Sequence, residues 1–209
     1  MARRLIYTFI LLAFSMLRLS AEGIPDEAAG RFPRLTWGAE WGYNASFCTG
    51  WHYNFFSSEG YRIDERGKNL KYKSNAEVYL HVGYNLDRHW NLSLYAGYAG
   101  IGRYGKAVPL SLRMTRFFGN DTMKDRWFAF ADLGSGICIK RQPQEIFAGK
   151  AGGGRRFSLG RSKLDFIVSA KCTYTHTDII YDRLIVPENM TNRNEAYVIA
   201  LSLGLSLTF

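Results

Sequence analysis

The chain has 209 residues, 47% of them hydrophobic, which is long enough for one domain with a filled interior, and no Pro/Gly/Ser linker divides it. Lys and Arg outnumber Asp and Glu by 27 to 18, and a formal charge of +9 fits nucleic acid, an anionic membrane surface or plain solubility. Cys48, Cys138 and Cys172 are odd in number and form no C-x-x-C pair, so no disulfide framework, zinc site or other metal or cofactor site is expected and free thiols are the default.

Residues 1–21, MARRLIYTFILLAFSMLRLSA, combine two early arginines, an apolar run from Leu5 to Leu17 and a small residue, Ala21, at a cleavage point. The run stops at Arg18, short of the ~20 residues a spanning helix needs, so it reads as a secretory signal rather than an anchor. Its removal takes away Arg3, Arg4 and Arg18 but no acid, so the charge falls from +9 to +6. Export argues against nucleic acid as a partner. Residues 22–34, with Pro25 and Pro33, read as a short periplasmic lead-in.

From residue 35 to 209 a period of two recurs. In LTWGAEWGYNASF, residues 35–47, Leu35, Trp37, Ala39, Trp41, Tyr43, Ala45 and Phe47 alternate with Thr36, Gly38, Glu40, Gly42, Asn44 and Ser46. Residues 75–86 set Val78, Leu80, Val82 and Tyr84 against Glu77, Tyr79 and His81. Residues 90–100 set Trp90, Leu92, Leu94 and Tyr98 against Ser93, Tyr95 and Gly97. Residues 108–118 put Leu110, Leu112, Met114 and Phe118 opposite Ser111, Arg113 and Thr115, with Arg116 interrupting the apolar row. Residues 127–140 oppose Trp127, Leu133 and Ile137 to Asp132, Gly134 and Gly136. A strand between about Ile146 and Leu159 has no fixed parity, because AGKAGGGRR is too rich in glycine. Residues 163–174 oppose Phe166 and Val168 to Asp165 and Lys171, and residues 196–209 place Leu201, Leu203, Leu205, Leu207 and Phe209 on one face. That makes eight strands.

Connections after strands 2, 4 and 6 are short (87–89, 119–126 and about 160–162), those after 3 and 5 moderate, and those after 1 and 7 long (48–74 and 176–194). Short turns at one end and loops at the other fit an outer-membrane barrel with periplasmic turns. The bulky residues occupy the apolar rows, and the opposite rows hold charges that would cost several kcal/mol per unpaired ion in a dry sandwich core. The fold class is therefore all-β, an eight-stranded antiparallel up-and-down transmembrane β-barrel whose apolar stripe meets lipid. Its interior, just wide enough to be filled by side chains, holds a charge network of Glu40, Glu77, His81, Arg113, Asp132, Asp165 and Lys171. Symmetric hairpins place Arg113 opposite Asp132, Phe118 opposite Trp127, His81 opposite Tyr95, and the Tyr79 ring over Gly97. Trp37, Tyr84, Trp90, Phe118, Trp127 and Phe209 mark one rim, and Phe47, Tyr98, Tyr174 and Tyr197 the other. Cys48 and Cys138 both read as inward near the outer rim.

The ending SLGLSLTF, with Ser202, Gly204, Leu207 and the terminal aromatic Phe209, resembles the assembly signal of bacterial outer-membrane barrels. With the eight strands, it makes residues 35–209 similar to small barrels of the OmpA-barrel/OmpX-like type. The resemblance implies recognition by the barrel-assembly machinery and a place in the outer membrane of a Gram-negative bacterium; the sequence does not set the oligomeric state, with a monomer favoured. No segment is left for the periplasmic peptidoglycan-binding domain of OmpA-type proteins.

Function is less sharply drawn. The first long loop joins Trp51 and Tyr53 to Arg62, Arg66, Lys68, Lys71 and Lys73, aromatic anchors beside fixed positive charge that suit lipopolysaccharide or an acidic partner. The expectation is a non-enzymatic structural or surface-interaction barrel in contact with outer-membrane lipid and lipopolysaccharide. The alternatives are an outer-membrane enzyme acting on lipid A or peptides and a small channel. For an enzyme the only suggestive cluster is His176 and Asp178 with His52 and Ser57 or Ser58, and no lipid-facing H-x-S motif is present. For a channel, Tyr79, His81, Tyr95, Arg113 and Asp132 would be a plug.

Overall fold

The computed structural model describes residues 33–57, 59–101, 105–119, 124–139, 144–159, 162–176, 179–181, 184–186 and 190–209. The signal and nearly all of the lead-in lie outside the described residues. Eleven strands follow in chain order: β1 (Leu35–Phe56), β2 (Arg62–Asn69), β3 (Lys73–Asn85), β4 (Trp90–Ile101), β5 (Gly105–Phe117), β6 (Arg126–Ile139), β7 (Gln144–Leu159), β8 (Ser162–Thr175), β9 (Ile180–Tyr181), β10 (Leu184–Ile185) and β11 (Thr191–Thr208). The sheet runs β11-β8-β7-β6-β5-β4-β3-β1 and closes by antiparallel pairing of β1 with β11. Eight strands thus form a closed barrel with no free edge, so the backbone of the wall is hydrogen-bonded within the sheet.

The apolar rows face outward. Trp37, Trp41, Leu80, Leu133, Val168, Leu201 and Leu203 are each about half exposed or more, an apolar band far larger than a water-facing protein leaves open. The inner rows are buried, and the expected registers hold: Arg113 opposes Asp132, His81 opposes Tyr95 and Tyr79 opposes Gly97. A Cβ on Gly97 would lie 2.7 Å from the Tyr79 ring and 2.0 Å from the Val78 carbonyl, so glycine is what lets the ring lie flat on the wall.

Three expectations change. The long first loop is largely strand: β1 continues past the membrane band to Phe56 and pairs with β2 from Thr49↔Asn69 to Phe56↔Arg62, forming a hairpin that extends the wall outward. The connections after the third and fifth spanning strands are short, because β5 already starts at Gly105 and β7 at Gln144. The contrast in loop length between the two ends therefore rests on two connections only. Finally, the β1–β11 register slips between Ser46 and Cys48, a β-bulge at Phe47. One extra residue moves every later side chain to the other face, so Cys48 aligns with the outward Ile199, whereas Cys138 is fully buried inside.

Candidate functional site

The inner rows converge on a layer of ions at mid-barrel. Arg113 (β5) donates from Nη1 to Glu40 Oε2 at 2.5 Å and from Nη2 to Oε1 at 3.2 Å. It also donates from Nε and Nη2 to Asp132 Oδ2, both at 3.1 Å, and from Nη1 to the Tyr95 hydroxyl at 3.0 Å. Its guanidinium lies 3.9 Å from the Tyr95 ring centroid and 4.3 Å from that of Phe130. Lys150 (β7) bridges Glu40 at 3.0 Å and Glu77 at 2.8 Å, while Lys171 (β8) reaches the other oxygen of Glu77 at 2.7 Å. Asn44, Tyr79 and Ser202 complete the shell of Glu77. Three acids meet three bases, so the layer is neutral. Glu40 and Glu77 are each only 1% exposed, a position a carboxylate tolerates only when its lone pairs are taken up in this way.

Lys150 was missing from the expected network, as was Arg156, which pairs side-on with Asp165 through two 2.7 Å hydrogen bonds. Both lie on β7, the strand whose parity the glycines hide. A signal did exist, since Lys150 lies directly opposite Asp132. His81 stacks on Tyr95 with centroids 4.8 Å apart and lies 3.3 Å from the Thr208 hydroxyl, outside the ion layer.

The charged layer is capped at both ends. Toward the short turns, Phe117, Phe128, Phe130 and Ile167 form one buried cluster. Toward the loops, Ile101, Ala107, Cys138, Ile146, Ala196 and Val198 form another, with Trp51 packed against it. Trp51, expected as a loop anchor, therefore belongs to the lumen cap, because the Phe47 bulge turns it inward.

The other loop candidates stay outside. Tyr53 hydrogen-bonds Glu65 across the hairpin, Arg62 donates to Asn54 at 3.2 Å, and His52 contacts Asp64 at 2.9 Å. The His52 contact, followed by the Asn54 hydrogen bond, holds the Asp64 carboxyl below its usual range. Arg66, Lys68, Lys71 and Lys73 are exposed, and none forms an ion pair with a described residue. Of the hydrolytic candidates, Ser57 accepts a hydrogen bond from the Tyr61 amide at 3.1 Å, His176 packs edge-on against Tyr174, and Ser58 and Asp178 lie outside the described residues. Among the described residues no group of three metal-ligating side chains converges.

In the C-terminal signature, Ser202 points inward to Glu77 at 3.3 Å, Gly204 is buried, and Leu207 and Phe209 face outward. The Phe209 ring stacks on Trp37 at 4.7 Å. The same rim holds Arg116 over the Trp90 and Phe118 rings and Arg155 over Trp127. These cations reach past an aromatic girdle, as snorkelling side chains do at a membrane interface.

No protein-family model and no curated protein sequence matches the chain. Solved structures do. The chain is similar to the outer membrane protein OprG of Pseudomonas aeruginosa, with 12% identity and a TM-score of 0.51 over 86% of this chain and 98% of that one. It is also similar to the outer membrane protein AlkL (16%, TM-score 0.44, 90% and 96%) and to the N-terminal β-barrel domain of Pseudomonas aeruginosa OprF (15%, 0.38, 81% and 97%). The fold is that of the small eight-stranded outer-membrane β-barrels.

Proposed function

We propose that this barrel sits in the outer membrane of a Gram-negative bacterium as a non-enzymatic surface-interaction protein, and that its outer hairpin contacts the phosphorylated headgroups of lipopolysaccharide. Arg66, Lys68, Lys71 and Lys73, none of them committed to an acid among the described residues, run from the hairpin into the start of β3, with exposed Tyr72 between Lys71 and Lys73 in the sequence and exposed Phe56 and Tyr61 at the hairpin tip. This pairing of free cations with aromatic side chains is the observation that carries the reading. Cations near an anionic headgroup layer contribute about 1 kcal/mol each, and the ring of Tyr72, between two of them in the sequence, adds apolar area.

The test is retention of lipopolysaccharide by the purified barrel, with the four cations changed together to glutamine. Retention at least about tenfold weaker is expected, together with a fall in wild-type retention as salt rises. Equal retention by the two proteins would refute the reading. Acyl chains altered after incubation with the wild type would favour an enzyme instead.

A further inference from the structure

Among the described residues three arginines extend into the lumen, and two of them show what occupies the Nε/Nη2 edge of a guanidinium in this barrel. Arg113 turns that edge to Asp132, and Arg156 turns it to Asp165. Arg126, the first residue of β6 and thus at the short-turn mouth, has no such carboxylate among the described residues. Its Nη1 donates to the Arg88 carbonyl at 2.8 Å, and its buried Nε has no partner among the described residues. The residue is only 7% exposed, and its guanidinium lies 3.9 Å from the centroid of the Phe117 ring, on which Arg156 also rests at 4.3 Å.

Among the described residues, Asp165 and Asp125 are already engaged. Asp165 is held by both edge nitrogens of Arg156, and Asp125 accepts from the Ser158 amide at 3.1 Å and faces Arg155 at 3.7 Å. A nearly buried cation is costly without an anion, and the planar Nε/Nη2 fork matches two oxygens of a carboxylate or phosphate. Nη1, pinned to Arg88, and the Phe117 ring fix the fork's direction before any ligand arrives.

From this geometry we infer that Arg126 is a binding site for a small oxyanion, a carboxylate or phosphate group entering from the short-turn side. The site lies at the opposite end of the barrel from the basic hairpin and is independent of its role.

The experiment follows the arginine Nε–H resonances of the isotope-labelled barrel in lipid nanodiscs during separate titrations with acetate, inorganic phosphate and, at matched ionic strength, chloride. The Arg126 signal, identified by its loss in Arg126→Gln, should shift to saturation with acetate, phosphate or both, while those of Arg113 and Arg156 stay still. Which of the two anions saturates it separates a carboxylate ligand from a phosphate ligand. Arg126→Lys keeps the charge without the fork, and any saturable change in resonances around Phe117 should disappear in it. Heat-modifiable migration checks that each variant is folded. The site would be overturned by the absence of a saturable shift with either oxyanion, or by an equal response to chloride.

Discussion

Glu77 shows what a single side chain does in this lumen. It takes Lys150 on one oxygen and Lys171 on the other, and those lysines are register neighbours whose charges would otherwise repel across β7 and β8. Removing one partner of a buried ion pair costs about 3–5 kcal/mol. Glu77→Gln should therefore lower the urea midpoint of the folded, fast-migrating band by the equivalent of that loss. Glu77→Gln combined with Lys171→Met should recover part of it, because the double change leaves one orphaned charge fewer. A single substitution with no effect on the midpoint would mean that the network contributes nothing to holding the barrel.

Most of this site was legible in the residues, because an ion inside a period-two strand is placed by parity alone. Lys150 escaped because glycine occupies both faces of β7: Gly149 and Gly153 share the outward parity of Ala151, while Gly152 and Gly154 share the inward parity of Lys150. Alternation carries no information where both rows are small. The aromatic plug escaped for a different reason. In Trp127-Phe128-Ala129-Phe130 the rows are clear, but period two says only which wall a residue faces and not what fills the lumen at that height.

At the level of elements, the β1–β2 hairpin is the main departure from the expected loop. The outer half of β1 mixes buried Asn54 and Phe55 on consecutive positions, so the apolar/polar alternation that reveals a spanning strand fades there, and the bulge at Phe47 breaks its phase as well. The spanning part of β1 is held independently, by β3 from Leu35 to Ser46 and by β11 from Gly38 onward. Replacing Asn54–Asp64 by a tight turn should therefore leave the eight-stranded wall closed, with the folded band and its heat-modifiability retained. Loss of that band would show that the hairpin is part of the unit that closes the barrel. Trp51 lies below the cut and keeps its place against the outer cap.

Taken as a whole, the molecule is a tube closed three times over, by an aromatic cluster, a neutral ionic layer and an aliphatic cap. An eight-stranded barrel is already barely wide enough for its own side chains, and the longest ones here are fastened to one another across the lumen: Arg113 of β5 reaches Glu40 of β1, and Lys150 of β7 reaches Glu77 of β3. The barrel reconstituted in a planar bilayer should give no sustained ion conductance at neutral pH. A steady open level in the wild type would contradict the closed lumen.

The extra residue at Phe47 also decides the redox behaviour of the chain. It places Cys48 level with Ile199, which is in turn level with Cys172, so the two sulfurs stand on one side of the wall with a whole strand between them. Two strand spacings come to roughly 9.5 Å, beyond the ~7 Å between Cα atoms that a disulfide bridge can span. Cys138 is sealed on the opposite face of the sheet. Oxidation of the folded barrel therefore cannot knot it to itself, and a sulfur–sulfur link can form only between Cys48 or Cys172 and another molecule.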